Sequence, residues 1–539
     1  MIKDRPTLVQ KAIVALVVAL LTFAKQIAFW LIDENRYYYL WQANDALALV
    51  LDVILLAVLA LGASEILRAL KADLPRKIFN HLFLIVFANG ALTLFPARFL
   101  PHDDMTIRLQ AGWVIIWLGV FSVTAYSFWK PRLQLVRRAA NVCIVFSPLV
   151  PILFFQLLST QPWSTPQESD PALRPTIPQS VQSAAGKHPI FVFVFDEWSY
   201  RRSFKDGALV PELVNLRRLR EESFDFQRTW SFSSRTLHSL PAMVFQNDQR
   251  LDIGKRAAFF EMDGKKTAAK NFPSIFKSAK EAGYVTAMQG FYLPYATMLG
   301  NQVDYCRTFA VFPRIEGLPG RMVEKLITNL DKLTDPFTDH VRRVLIARLH
   351  SERWFNINRW LRDESFRLLD ESPRNTFAFF HWPLPHGPFV LNEDGSYHGP
   401  YPKGELLAGL RGTAEDYHRH LIYMDRLIGE IVERLKASGK YDDAMIVVTG
   451  DHSWRSDPDE VVKNWKADLR YRKVPLFIKF PGQKSAHVID KTVYNNLALK
   501  PLIDFVLRGK VDEQSAAEAI KQLENLPTPS GINSKRPKP

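Results

Sequence analysis

The chain has 539 residues, of which 47% are hydrophobic, and a net charge of +14, which together exclude a single small core. The charge is not that of a nucleic-acid binder: much of the excess lies in short loops between apolar runs, and no basic stripe with interleaved aromatics occurs elsewhere. The two cysteines, Cys143 inside an apolar segment and Cys306 far downstream, exclude a disulfide framework.

Five apolar segments open the chain, roughly Leu8–Ile32, Ala46–Leu67, Ile78–Phe99, Ala111–Trp129 and Ala139–Leu158. Each approaches the ~20 residues that cross a bilayer as a helix, so residues 1–158 are expected to form a five-span transmembrane domain. The first segment is too long for a signal peptide, lacks a small-residue cleavage site and reads as a retained anchor. Lys3, Arg5 and Lys11 flank it, Arg68, Lys71, Arg76 and Lys77 follow the second segment, and Lys130, Arg132, Arg137 and Arg138 follow the fourth. Basic residues thus alternate by side, which predicts a cytoplasmic N-terminus and puts everything after residue 160 outside. Trp30, Tyr37, Tyr38, Tyr39 and Trp41 form an aromatic belt at the outer edge of the first hairpin. Two charges, Lys25 and Asp52, fall inside spans; both lie toward the outer side, where snorkelling is the simpler reading.

Residues 159–188 are rich in Pro, Ser and Gln and read as an extended connector. A soluble domain over 189–508 follows. Its first run, Pro189–Phe195, is continuously apolar, as in a strand buried on both faces. Helical patterns at Val210–Glu222 and Tyr417–Ser438 alternate with further buried strands at Ala444–Thr449 and Val474–Phe480. The alternation predicts an α/β fold, a mostly parallel sheet sandwiched by helices. The polar tail, 509–539, is expected to be disordered.

In such a sheet, catalytic groups gather at the carboxyl ends of strands. The first strand runs into Asp196-Glu197, and the strand at Ala444–Thr449 runs through Gly450 into Asp451-His452. Carboxylates with an imidazole suit a divalent cation such as Zn²⁺ or Mn²⁺, although an Asp after a strand also serves as a helix N-cap. Ser231-Phe-Ser-Ser-Arg-Thr236-Leu-His-Ser239-Leu-Pro241 leads from a loop into a helix start. A hydroxyl there either caps the helix or acts as a nucleophile, because the backbone N–H groups can hold an anionic ester and a cation would lower its pKa. His381-Trp-Pro-Leu-Pro385-His386-Gly-Pro388 follows the apolar run Phe377–Phe380, and its prolines present both imidazoles on a stiff backbone.

The ordered set of these motifs resembles the sulfatase/alkaline phosphatase superfamily: an apolar strand ending in acid, a Thr–x–x–Ser–x–Pro helix start, a Pro-His-x-Pro loop and a strand ending in Asp-His. Val210-Pro-Glu-Leu-Val-Asn-Leu-Arg-Arg-Leu, Ala279-Lys-Glu-Ala-Gly283-Tyr284 and Tyr423-Met-Asp425-Arg-Leu-Ile-Gly429 resemble its connecting segments, and the likeness runs from about Pro189 to Gly482. With five preceding spans, the chain looks like the membrane-anchored lipoteichoic-acid synthases and lipid A phosphoethanolamine transferases. The resemblance implies an alkaline phosphatase-like fold, Asp196 or Glu197 as first metal ligand, Thr236 as ligand and nucleophile, and Asp451 and His452 completing the site. It implies substrate contact or leaving-group protonation by His386, with His381 beside it, and pairing of Lys473 with an anionic substrate. The cofactor implied is Zn²⁺ or Mn²⁺, with Mg²⁺ or Ca²⁺ as alternatives; the partners are a membrane lipid donor and a lipid or glycan acceptor.

Departures from that pattern bear on the reaction. Sulfatases mature a Cys or Ser to formylglycine, whereas here the position carries Thr236-Leu237-His238; their Gly-Lys-Trp-His segment is replaced by Gly290-Phe291-Tyr292-Leu293. The expected activity is therefore transfer of a phospho-head group from a membrane lipid to an envelope acceptor through a covalent Thr intermediate. The alternative is a hydrolase of phosphate or sulfate esters.

Overall fold

The computed structural model of the chain describes residues 7–31, 44–70, 73–94, 133–160, 176–179, 186–246, 251–253, 258–262, 265–309, 317–334, 347–399, 412–457, 459, 469–509 and 511–523. They form two units.

The first unit holds the N-terminal helices α1 (Leu8–Thr22), α2 (Ala24–Leu31), α3 (Asp45–Ala69), α4 (Asp73–Leu94), α5 (Leu133–Phe146) and α6 (Leu149–Ser159). Among the described residues α3 is the one single helix long and apolar enough to cross a membrane; α1 with α2, bent by 62°, and α5 with α6, bent by 53°, each qualify only as a pair, as a broken span or a re-entrant loop. The third expected segment is helical over most of its length, as α4. The fourth, Ala111–Trp129, lies outside the described residues. Lys11 near the start of α1 pairs with Glu65 near the end of α3 at 3.0 Å, so these two helices run antiparallel. Asp52 does not snorkel: it lies seven residues, about two turns, beyond Asp45 and shares that buried face of α3.

The second unit is built on an eight-stranded sheet. In chain order its strands are β1 (Ile190–Phe195), β2 (Phe224–Trp230), β3 (Val285–Phe291), β4 (Tyr305–Phe309), β5 (Thr376–Trp382), β6 (Met445–Gly450), β7 (Leu476–Lys479) and β8 (His487–Tyr494). Their order across the sheet is β8-β2-β7-β6-β1-β5-β3-β4. Only β7 runs antiparallel to its neighbours, so the sheet is mostly parallel, as the sequence predicts.

Side chains that alternate along β1 explain why the run is apolar throughout. Phe191, Phe193 and Phe195 enter one core with α7 (Val214–Arg220), a long helix Ala347–Glu371 and the helix Ala414–Ala437. Ile190, Val192 and Val194 enter the other, with α8 (Thr236–Phe245), α9 (Ile275–Glu281) and the helix Asn495–Leu507. Counting the helix Gly317–Thr334 as α10, these three later helices are α11, α12 and α13. Truncating any one of these fully buried phenylalanines to Ala is expected to cost about 3–5 kcal/mol.

Two differences from the sequence reading stand out. Helix α10 lies within the span expected for the soluble domain, yet it groups with α1–α6 in the first unit. The expected disordered tail begins with a helix, α14 (Glu513–Gln522), started by a reciprocal Asp512–Ser515 capping box and anchored by buried Ala516 and Ile520.

Candidate active site

The central strands set the site. β1 and β6 pair in register, Phe195 opposite Gly450, so Asp196 and Asp451 leave the sheet side by side. A Cβ on Gly450 would lie 3.1 Å from both the Cβ and the carbonyl oxygen of Trp198, so glycine lets the turn after β1 cross here. That turn puts Glu197 at φ +62°, an uncommon conformation for a side-chain-bearing residue. Tyr417 of α12 holds it, donating to the Glu197 carbonyl at 2.8 Å and accepting the Ser199 N–H at 2.8 Å. Helix α12 is itself fixed to α7, where Asp425 accepts the Leu216 N–H at 2.7 Å and the Asn215 N–H at 3.1 Å. A Cβ on Gly429 would lie 2.6 Å from Asn215, so the close approach of the two helices requires glycine there.

Thr236 is the first residue of α8, and Arg235 is the N-cap. Its hydroxyl does not cap the helix but donates to Asp196 Oδ1 at 3.4 Å and lies 3.2 Å from His452 Nε2. The preceding loop is fastened at Ser231, whose carbonyl accepts the Arg472 guanidinium at 2.8 and 2.9 Å.

Asp196, Asp451 and His452, all buried, each offer one ligand atom within 4.8 Å of the others. His452 Nδ1 lies 2.9 Å from the Ser453 carbonyl, and donation there leaves the Nε2 lone pair facing the group. Nε2 is 3.6 Å from Asp196 Oδ1 and 3.4 Å from Asp451 Oδ2. Donors at about 2.1 Å from a tetrahedral Zn²⁺ stand about 3.4 Å apart. The four contacts, at 3.2, 3.4, 3.4 and 3.6 Å, match that edge. Asp451 Oδ1 accepts the N–H groups of Glu197 and His452 at 3.0 and 2.7 Å, whereas its buried Oδ2 has no hydrogen-bond donor among the described residues. Burial, then the charge of Asp196, raises the Asp451 carboxyl to about 7. Two crowded carboxylates, an imidazole and a hydroxyl fit a divalent cation, which would offset that cost.

The adjacent acid faces elsewhere. Glu197 accepts the Arg455 guanidinium at 2.6 Å and lies 4.0 Å from His386 Nε2. Burial opposes its charge, but His386, Arg455 and His452 outweigh it and hold the carboxyl at about 2. His386 stacks on Trp354, and its Nδ1 contacts the Gly387 carbonyl, while its Nε2 lies 3.3 Å from Arg455. Burial lowers the His386 pKa, and Glu197 and Asp196 raise it by more. His381 is fully buried against Phe291, with Nδ1 2.7 Å from the Tyr295 hydroxyl and Nε2 4.0 Å from Asp196. Burial, then His452, drives its pKa well below 6.5, so the ring is neutral.

Lys473 lies against aromatic rings, with its Nζ 3.8 Å from the centre of the Tyr200 ring and 5.9 Å from that of Trp230. The cation beside His386 is Arg455, which the sequence reading missed. Its one signal was its position, three residues after His452.

The sulfatase family model matches residues 190–505. The chain belongs to the sulfatase family. It is also 29% identical over 136 residues to lipoteichoic acid synthase 2 of Bacillus subtilis (strain 168), a match covering 23% of this chain and 20% of that protein. The chain thus spans about a fifth of the length of that relative. Solved structures similar to it include the lipoteichoic acid synthase LtaP from Listeria monocytogenes, at 17% identity over 61% of this chain and 74% of that one, TM-score 0.36. Another is the phosphonate monoester hydrolase from Silicibacter pomeroyi, at 17% identity over 60% and 74%, TM-score 0.39. The sulfatase family and these relatives, a synthase and a hydrolase by name, are enzymes.

Proposed function

We propose that this sulfatase-family enzyme is a membrane-bound phosphotransferase, moving a phospho-head group from a membrane lipid to an envelope lipid or glycan through a covalent ester on Thr236. The observation that carries this reading is the approach of the Thr236 hydroxyl to Asp196 and His452, at 3.4 and 3.2 Å, in place of a helix-capping contact. A threonine cannot be matured to formylglycine, which disfavours sulfate-ester chemistry. In this reading residues 1–158 anchor the chain with a cytoplasmic N-terminus, and 189–508 act outside the plasma membrane, supported by the alternating basic loops.

Asp196, Asp451, His452 and Thr236 would hold the cation, Zn²⁺ or Mn²⁺; Glu197 instead fixes Arg455. Once bound, the cation supplies Lewis acidity, lowering the pKa of the hydroxyl and offsetting charge on the phosphoryl oxygens. Thr236 loses its proton to solvent and attacks phosphorus in line. The Oγ1–P bond forms as the P–O bond to the lipid alcohol breaks, and His386 Nε2 gives its proton to the departing oxygen. An acceptor hydroxyl then attacks the same phosphorus, passes its proton to His386 and displaces Thr236. Arg455, oriented by Glu197, contributes a fixed positive charge beside this proton exchange. Helix α8 directs its first N–H groups toward the site of the ester.

The test is intact-mass analysis of the purified protein with a labelled phospholipid, expecting a phospho-head-group adduct mapped to Thr236. Turnover of an aryl sulfate, with no adduct from any phospholipid, would defeat the reading.

A further inference from the structure

Helix α10 carries a buried stripe that is polar. Arg321, Lys325 and Asn329 recur every four residues, so they share one face, and all three are buried. The stripe meets the start of α3 and the end of α2, within the unit that also holds α1–α6. Lys325 Nζ is 2.9 Å from Asp45 Oδ1, with side chains only 3% and 4% exposed, and it sits 4.9 Å from the centre of the Trp30 ring. Arg321 reaches Asp45 at 4.0 Å, and Glu324 joins Arg321 at 3.1 Å and Lys325 at 3.2 Å. Among the described residues, two cations and two anions thus meet at one junction. A buried ion pair fixes which surfaces meet, because either partner alone would be left as an uncompensated charge.

Connectivity gives this junction its consequence. The chain runs from β4 in the sheet unit to α10 in the helical unit and back to α11 in the sheet unit. Asp45 and Trp30 lie at the opposite end of the α1–α3 pair from Lys11 and Glu65. We propose that α10 is a second attachment of the sheet-bearing domain to the helical anchor, pinned by Lys325 on Asp45, so that cutting the 159–188 linker does not release the domain. The inference stands on packing and charge and is independent of the reaction assigned above.

The test uses the full-length chain with a protease site inserted in the 159–188 linker and an affinity tag at the N-terminus. After complete cleavage in detergent, the C-terminal fragment is expected to co-purify with the tagged anchor. Lys325→Asp or Asp45→Lys alone should lose it, and the double variant Asp45→Lys/Lys325→Asp should recover part of it, because Arg321 and Glu324 then face like charges. Release of the wild-type fragment on cleavage overturns the second attachment whatever the variants do. Retention by both single variants overturns the role of the pair. Resistance of the C-terminal fragment to further proteolysis separates loss of docking from loss of folding.

Discussion

Replacing Asp451 with Asn gives the sharpest test of the cation site, because the substitution keeps the packing and removes only charge. The Asn Oδ1 can still accept the N–H groups of Glu197 and His452, now at 3.0 and 2.7 Å. A carboxyl raised from 3.8 to about 7 costs the ionised, metal-free fold about 4 kcal/mol at most, at 1.36 kcal/mol per tenfold. The folded value lies above the unfolded one. The cost is therefore absent below 3.8, where both states hold the proton, and grows to its full size as pH rises past about 7. Calorimetry of the full-length protein in detergent with chelator should then find the Asn variant unfolding several degrees above wild type at neutral or higher pH, the gap closing toward pH 4. Added Zn²⁺ or Mn²⁺ at 100 times its dissociation constant should stabilise wild type by about 2.7 kcal/mol and leave the variant unmoved. A metal-free variant less stable than wild type at neutral pH, or one stabilised equally by metal, would refute the reasoning.

Thr236→Ala should abolish the lipid-derived adduct and lower turnover by roughly a thousandfold or more, whereas Thr236→Ser retains part of both; radiolabel transfer from phospholipid measures them. His386→Ala should slow transfer from a lipid alkoxide by about 10²–10⁴. The same variant should leave a p-nitrophenyl phosphodiester, whose leaving group needs no proton, far less affected; equal losses on both substrates would contradict the acid role. Gly429→Ala forces a methyl to within 2.6 Å of Asn215 and should destabilise the sheet domain by about 1–3 kcal/mol, read in thermal unfolding; trimming Asn215 to Ala should recover part of it.

What could be read in the chain follows how local each cause is. The central strands β1 and β6 announce themselves because both faces are buried, so every position is apolar, and their ends hold the acids and the imidazole. The edge strand β8 does not: from His487 to Thr492 its residues alternate between half-buried and exposed, only Val493 is buried, and His487, Asp490 and Lys491 break the apolar run. The long helix α11 was missed because only one face enters the core, through Ile357, Leu361, Leu368 and Leu369, while arginines and acids fill the rest. Arg455 and the docking of α10 are tertiary facts. Nothing near Arg455 in sequence marks it as the partner of Glu197, which lies 258 residues away. Likewise the cationic stripe of α10 has meaning only against Asp45.

The same distinction separates the two neighbouring acids after β1, which the motif alone left interchangeable. Asp196 continues the line of the strand beside Asp451, where burial, outweighing the help of His386, Arg455 and Thr236, raises its pKa; it is a carboxylate short of positive charge. One residue on, the backbone turns to φ +62°, held by Tyr417, and sends the Glu197 side chain to Arg455 and His386. There its carboxyl falls to about 2 and its charge is already balanced by protein cations. A divalent ion gains most where negative charge is uncompensated, so we propose Asp196 as the ligand and Glu197 as the residue that orients the cationic side of the site. On this argument Asp196→Asn should weaken metal binding far more than Glu197→Gln. Glu197→Gln should instead shift the pH profile of transfer through His386, and metal titration of both variants by calorimetry separates the two roles.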